Sequence, residues 1–331
     1  MARYRVVVTE NLFGKHEEEI AVLSAVDAEL VVFDCKSKEQ LIEAVRDAHG
    51  VLMHTKMQID AEVIAQMRCC RVISRYGIGY DNIDVEAATR AGIWVARVTE
   101  YGAEEDVADQ AIALLMACIR EVCYKNRRIR EGAWNIKAER KSHRIKGKTL
   151  GILGHGNIGS SLHRKLSCIG LGRILVCDPY KQKQRIIDQG GQPVDLDTLL
   201  RESDYVSIHV PLNRETRHLI GEREFALMKS NAILINTSRG PVVAEAALCR
   251  ALQESRIRSA GIDVFEEEPL PEHSCLRRLD NVILSDHTGY YSEESLVELK
   301  TKAARNVAEV LRDGKPLYPL NQPKSKQERL L

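Results

Sequence analysis

The stretch "TLGILGHGNIGSSLHRKLSCIGLGRILVCDPY" places Gly154, Gly156 and Gly159 as G-x-G-x-x-G directly after an apolar run and at the start of an amphipathic one. That spacing suits pyrophosphate binding: Gly154 permits a tight turn, Gly156 lets a phosphate approach the backbone, and Gly159 lets helix and strand pack closely. The helix opening at Asn157 offers unpaired N–H groups. A second apolar run ends at Asp178, 19 residues past Gly159, where a carboxylate can bind ribose hydroxyls. Asp178 would repel a 2′-phosphate and no Arg follows it directly, while Lys181 and Lys183 read as solvent-facing, so the expected cofactor is NAD.

Nicotinamide chemistry moves a hydride, so the protein must hold a carbonyl, polarise it and exchange a proton. Three segments are placed for this beyond apolar runs: "ILINTSRGPVV" carries Arg239, "AGIDVFEEEPLP" carries acids before Pro269, and "NVILSDHTG" carries His287. A guanidinium can pair with a carboxylate while polarising the adjacent carbonyl. A carboxylate beside an imidazole fixes its tautomer and favours its protonated form. Taken alone, His287 reads equally as a packing residue, a metal ligand or an acid. No HExxH pattern occurs among the ten histidines, and Cys69 and Cys70 are adjacent rather than spaced as CxxC, so no metal site is expected.

The elements that would position these groups alternate. "RYRVVVT", "LVVFD", "GVLMH", "RVISR" and "GIWVARV" punctuate the first hundred residues, separated by helix-like stretches. From Asp106 one long amphipathic helix is expected to run to Gly132, with Val107, Ala111, Leu114, Leu115, Cys118, Ile119 and Val122 on its apolar side. A second series follows: "KTLGILG", "RILVCD", "YVSIHV", "NAILINT", "IRSAGIDVF" and "NVILS", then a final helix closed by Gly314. This alternation predicts an α/β chain of two Rossmann-like domains, each a doubly wound parallel sheet. The last residues, "QPKSKQERLL", read as a disordered polar end.

Composition narrows the function classes. The 48 basic and 47 acidic residues nearly cancel, which removes a global basic field for nucleic acid. Arg120 to Lys148 holds eleven Lys/Arg against three Glu but lacks interleaved aromatics, so it reads as a solvated face. No apolar stretch approaches the ~20 residues that cross a bilayer, and the N-terminus reads as a first strand rather than a signal peptide. Nine scattered cysteines, mostly in apolar segments, point to buried thiols in a reducing, cytoplasmic setting.

With these residues in view, the chain resembles the D-isomer-specific 2-hydroxyacid dehydrogenases over nearly its whole length. The motifs are "RYGIGYDNIDVEAATRAGIWV", "GHGNIG", "SDYVSIHVPLNRETRHLI", "INTSRGPVVAEAAL" and "DVFEEEPLP", ending at the His287 strand end. "LMHTK", "YYSEESL" and "KAARNVAEVL" are most similar to the C-terminal-binding-protein-like branch. The resemblance implies Arg239 as substrate-binding residue, Glu268 (directly before Pro269) as histidine partner and His287 as proton donor. It places Ile78 and Gly79 amides at the substrate carboxylate. Cofactor contacts are implied for Asn157, Ile158, Asp178, His209, Val210, Pro211, Thr216, Thr237, Ser238, Arg239, Asp263, His287, Gly289 and Val107, besides the glycines. It further implies a discontinuous, flavodoxin-like substrate domain (1–101 and 291–331), an NAD-binding Rossmann domain inserted at 102–290, and a homodimer. The activity implied is hydride transfer between NAD and C2 of a small 2-ketoacid or 2-hydroxyacid. Two alternatives stand beside it: an NAD(H)-sensing, corepressor-like dimer and a phosphoglycerate dehydrogenase.

Departures from the family pattern mark individuality. Asp286 replaces the Pro before the histidine and, by strand alternation, is read as facing solvent. Tyr290 stands where the branch has a pocket Trp and reads either as a wall of the substrate site or as packing. His54 occupies a place where phosphoglycerate-specific relatives tend to have Arg, and is expected near the substrate, while Arg75 reads as an anion anchor or a structural ion pair.

Overall fold

Apolar, β-branched runs of four or five residues, too short for helices, form most of the strands; the central ones are buried on both faces, and both sheets are wholly parallel. The computed structural model describes residues 3–54, 56–134 and 142–323. The expected polar end beyond 323 and part of the basic stretch fall outside them. The chain divides into two units, Met1–Gly102 with Ser292–Leu331, and Ala103–Tyr291.

In the first unit, β1 (Tyr4–Val8), α1 (Glu17–Ser24), β2 (Ala28–Val32), α2 (Lys38–Val45), β3 (Gly50–Met53), α3 (Ala61–Ala65), β4 (Val72–Arg75), α4 (Val85–Ala91) and β5 (Trp94–Arg97) alternate along the chain. The strand order β2-β1-β3-β4-β5 is the flavodoxin-like one. The C-terminal helix α12 (Glu293–Asp313) returns to this unit: Ser74 Oγ donates to the Ala303 carbonyl at 3.0 Å and Asn306 Nδ2 to that of Arg97 at 3.1 Å. Its start is capped by Ser292, which accepts from the Ser295 amide at 3.0 Å, and it ends at Gly314 with φ +82°.

The second unit runs α5 (Ala103–Arg120), α6 (Val122–Arg130), β6 (Thr149–Leu153), α7 (Asn157–Leu166), β7 (Arg173–Cys177), α8 (Lys183–Asp188), β8 (Gln192–Pro193), α9 (Leu196–Glu202), β9 (Tyr205–Ile208), α10 (Glu222–Leu227), β10 (Ile233–Asn236), α11 (Glu245–Gln253), β11 (Ser259–Ile262) and β12 (Val282–Leu284). Its sheet order is β12-β11-β10-β9-β6-β7-β8. The direction of winding reverses between β6 and β9, which is where such sheets take ligands, outside the carboxyl ends of the strands. All six expected strands form; β8, two residues at the edge, was not among them.

Two expectations are corrected here. The helix from Asp106 is not one helix to Gly132: it breaks at Glu121, which is left-handed (φ +55°) and buried, with its carboxylate 2.8 Å from Arg258. That buried pairing carries the backbone turn, and α6 beyond it buries nothing. The cysteines are not all buried thiols either. Cys249 on α11 is bonded to Cys275, while Cys69, Cys123 and Cys168 are exposed.

Candidate active site

The glycine turn after β6 is shaped by neighbours that leave no room for side chains. Gly154 has φ +90°, and a Cβ there would lie 2.8 Å from the His209 carbonyl at the end of β9. A Cβ on Gly159 would come within 2.2 Å of the Gly154 oxygen. Gly156 differs: a Cβ would meet nothing within 4 Å, so its backbone faces open space. Gly156 caps α7 without a side-chain hydrogen bond, and Asn157 beside it is exposed, so first-turn amides stay available. Asp178 accepts from the His155 amide at 2.8 Å and the Tyr180 amide at 2.9 Å, which aims its carboxylate at this turn.

Buried polar atoms without a partner among the described residues follow β9 and β10: Nδ1 of His209, whose Nε2 pairs with Ser207 at 2.8 Å, and Oγ1 of Thr237. Burial, with His155 nearby, pushes the His209 imidazole down to about 3, so it stays neutral. Thr216 closes the 211–216 turn by donating to the Pro211 carbonyl at 2.6 Å and accepting from the Asn213 amide at 2.8 Å. Val107 is buried on α5, Val210 packs beside Gly154, and Ile158 is half-buried on α7. An open anion-binding turn, a ribose-type carboxylate and orphaned donors and acceptors together fit a dinucleotide.

The three candidate chemical residues follow three adjacent strands. Arg239 follows β10 in extended conformation (φ −144°, ψ 138°), half-buried, with Nη1 donating to the Ser238 carbonyl at 2.7 Å. Ser238 is itself held by Asn236, through an Oγ–Oδ1 bond of 2.8 Å. A Cβ on Gly240 would overlap the Phe265 carbonyl at 1.8 Å, so only glycine lets the turn after β10 abut the turn after β11. Glu268 stands on that second turn, before a cis bond to Pro269. Its Oε1 accepts from the Phe265 amide at 3.0 Å and its Oε2 lies 2.7 Å from His287 Nδ1. Burial alone would raise the Glu268 carboxyl, but the bond to His287, the Phe265 amide and the charge of Arg239 outweigh it and hold it below the usual carboxylate range. Glu268 is therefore an anion at neutral pH.

His287 has φ +59°, a conformation non-glycine residues rarely adopt, and its amide donates to the Asp263 carbonyl at 2.8 Å. Pairing through Nδ1 leaves Nε2 as the nitrogen able to exchange a proton with a ligand. The His287 and Glu268 side chains keep 25% and 33% of their surface exposed, enough for a small molecule to reach them. Asp286 is exposed, as expected, and accepts from Thr288 Oγ1 at 2.9 Å; it stands two residues past β12, in the turn rather than in the strand. Asp263, expected as a cofactor contact, spends its buried carboxylate on Ser285 Oγ (2.6 Å) and the Thr288 and Gly289 amides (3.3 and 3.0 Å). Ser285 and its partner Gln110 escaped the sequence reading, because nothing about a lone Ser two residues before a His signals a bond to another strand end.

In the first unit, His54 is buried edge-on to Phe13, its amide donating to Glu10 Oε2 at 2.6 Å. Ile78 and Gly79 are half-buried, and the Ile78 carbonyl accepts from Arg97 Nη1 at 3.2 Å. Arg75 is buried, with Nη1 donating to the Tyr76 carbonyl. Tyr290 is half-buried in the second unit.

A doubly wound sheet with a dinucleotide turn at its switch point, and Arg, Glu and His at three neighbouring strand ends, defines an NAD-dependent oxidoreductase. Residues 112–289 match the family described as "D-isomer specific 2-hydroxyacid dehydrogenase, NAD binding domain". The chain is 41% identical over 289 residues to a glyoxylate reductase of Korarchaeum cryptofilum, covering 86% of each. It is 37% identical over 327 residues to a D-3-phosphoglycerate dehydrogenase of Methanocaldococcus jannaschii, covering 98% of this chain and 61% of that one. The crystal structure of a glyoxylate reductase from Paecilomyes thermophila superposes with a TM-score of 0.85 at 31% identity, covering 97% of this chain and 99% of that one. The chain belongs to the D-isomer specific 2-hydroxyacid dehydrogenase family.

Proposed function

We propose that this protein reduces a small, unphosphorylated 2-ketoacid of the glyoxylate or hydroxypyruvate type, with Arg239, Glu268 and His287 as its reacting residues. When bound, the nicotinamide supplies the hydride that C2 receives. Arg239 pairs with the substrate carboxylate and leans positive charge on the C2 oxygen, where negative charge develops. His287 Nε2 donates a proton to that oxygen, and Glu268 on Nδ1 balances the imidazolium beforehand. In the other direction His287 takes the proton from the hydroxyl. The observation that carries this reading is the 2.7 Å His287–Glu268 pair on turns packed against that of Arg239.

Ile78 and Gly79 amides are assigned to the substrate carboxylate, and His54 and Tyr290 are assigned to substrate binding. Residues 1–101 and 291–331 are assigned to substrate and 102–290 to cofactor. The glyoxylate and hydroxypyruvate reductases among the relatives support the substrate class, as does a histidine rather than an arginine at position 54. Placement in the C-terminal-binding-protein-like branch rests on "LMHTK", "YYSEESL" and "KAARNVAEVL". A homodimer is the assembly we infer, from the exposed Val122 and Ile129 of α6, and a cytoplasmic setting from the seven cysteines that stay free beside the one Cys249–Cys275 bond.

Steady-state turnover with NADH across glyoxylate, hydroxypyruvate, pyruvate and 3-phosphohydroxypyruvate tests the reading. The expected result is a kcat/KM for glyoxylate or hydroxypyruvate above that for the phosphorylated acid. Preference for the phosphorylated acid would make this a phosphoglycerate dehydrogenase. No turnover, with NADH-dependent dimerisation, would make it a sensor.

A further inference from the structure

The His287 ring bonds to Glu268 on another turn, and this contact does not by itself fix the left-handed backbone of His287. The backbone is held instead by three consecutive amides. His287 N–H donates to the Asp263 carbonyl, and those of Thr288 and Gly289 to the Asp263 carboxylate. That carboxylate is buried, so its orientation depends on whatever else it bonds. Ser285 Oγ donates to Asp263 Oδ1 at 2.6 Å and accepts from Gln110 Nε2 of α5 at 3.0 Å. Gln110 also packs on the turn: a Cβ on Gly289 would lie 3.4 Å from its Cγ and 2.9 Å from Asp263 Oδ2. Helix, strand end and turn are thus linked by one unbroken chain of hydrogen bonds.

We propose that Gln110 and Ser285 are positioning residues for the reaction: through Asp263 they fix the 287–289 turn and with it the direction of the His287 imidazole. Neither touches the reacting atoms. Their loss would leave dinucleotide binding at the glycine turn intact and let His287 sample orientations in which Nε2 points away from the substrate oxygen. A misplacement of about 1 Å at a proton donor costs roughly 100-fold in rate. This inference rests on His287 being the proton donor.

The test compares Ser285→Ala, Ser285→Thr and Gln110→Leu with the wild-type enzyme. Three readouts are taken: kcat and KM for the best 2-ketoacid, NADH affinity by fluorescence without substrate, and hydrogen exchange of the Thr288 and Gly289 amides. Ser285→Ala is expected to lower kcat by roughly ten- to 100-fold, with NADH affinity within about twofold and faster exchange at both amides. Ser285→Thr, which keeps the hydroxyl, recovers most of kcat, and Gln110→Leu shifts all readouts as Ser285→Ala does, by less. Unchanged kcat in Ser285→Ala, an equal fall in Ser285→Thr, or a matching loss of NADH affinity would overturn the proposal. Should Ser285→Ala not fold, Gln110→Leu decides alone, and unchanged exchange at Gly289 refutes it. Amide exchange needs no turnover, so with an inactive wild-type protein it still decides whether Gln110 and Ser285 hold the 287–289 turn, while their role in the reaction falls with the proposed function.

Discussion

Arg239, Glu268 and His287 differ in what holds them, and their substitutions should differ accordingly. Arg239 is aimed by backbone: extended φ and ψ, the Asn236–Ser238 brace before it and the Gly240 approach after it. Lysine cannot reproduce a planar two-pronged donor. Arg239→Lys should therefore lower kcat/KM by roughly 100-fold, measured with saturating NADH. Glu268 is an anion tied to both His287 and the Phe265 amide. Glu268→Gln keeps hydrogen-bonding capacity and removes the charge that favours imidazolium. The kcat for ketoacid reduction should then fall by roughly ten- to 100-fold at unchanged NADH Kd, because the proton donor loses the counter-charge that orients it. An unchanged kcat would dissociate Glu268 from His287.

At the scale of elements, the glycine turn and the histidine on the buried face of α7 carry separate predictions. Gly159→Ala should destabilise the protein by about 1–3 kcal/mol and weaken NADH binding, since its Cβ strikes the Gly154 oxygen. Gly156→Ala has space and should spare stability, as thermal unfolding without cofactor would show. His163, 1% exposed and 3.1 Å from His155 Nε2, is pushed down to about 4 by burial and by His155. An unfolded imidazole takes its proton near 6.5. Between those values the unfolded chain binds more protons, so the stabilisation complete above pH 6.5 is lost as pH falls towards 4. Between pH 7 and 4.5 the wild type should lose about 2 kcal/mol more than His163→Gln.

The strands and the glycine turn were legible in the sequence, because period, length and φ-demanding glycines are local properties. The break at Glu121 was not, since its cause, Arg258, lies 137 residues away. The Cys249–Cys275 bond was equally hidden, as spacing alone carries no pairing. Arg239, Glu268 and His287 were found at strand ends, whereas the Asp263–Ser285–Gln110 chain became visible only with side chains in place.

For the molecule as a whole, two parallel sheets divide the labour proposed here, and cofactor binding should stabilise the sheet that carries the glycine turn. NADH at about 100 times its Kd should add about 2.7 kcal/mol of stability, read as a rise in unfolding temperature that Gly159→Ala abolishes. The chain's near-neutral charge makes electrostatic capture of nucleic acid a poor competitor for that role. What separates a dehydrogenase from a dinucleotide sensor is whether His287 transfers a proton. The most direct measurement is kcat for glyoxylate or hydroxypyruvate reduction by His287→Gln, beside its NADH Kd. We expect kcat to fall by about 100- to 10,000-fold with NADH Kd within about twofold of wild type. An unchanged kcat would contradict the assignment of His287 as the proton donor.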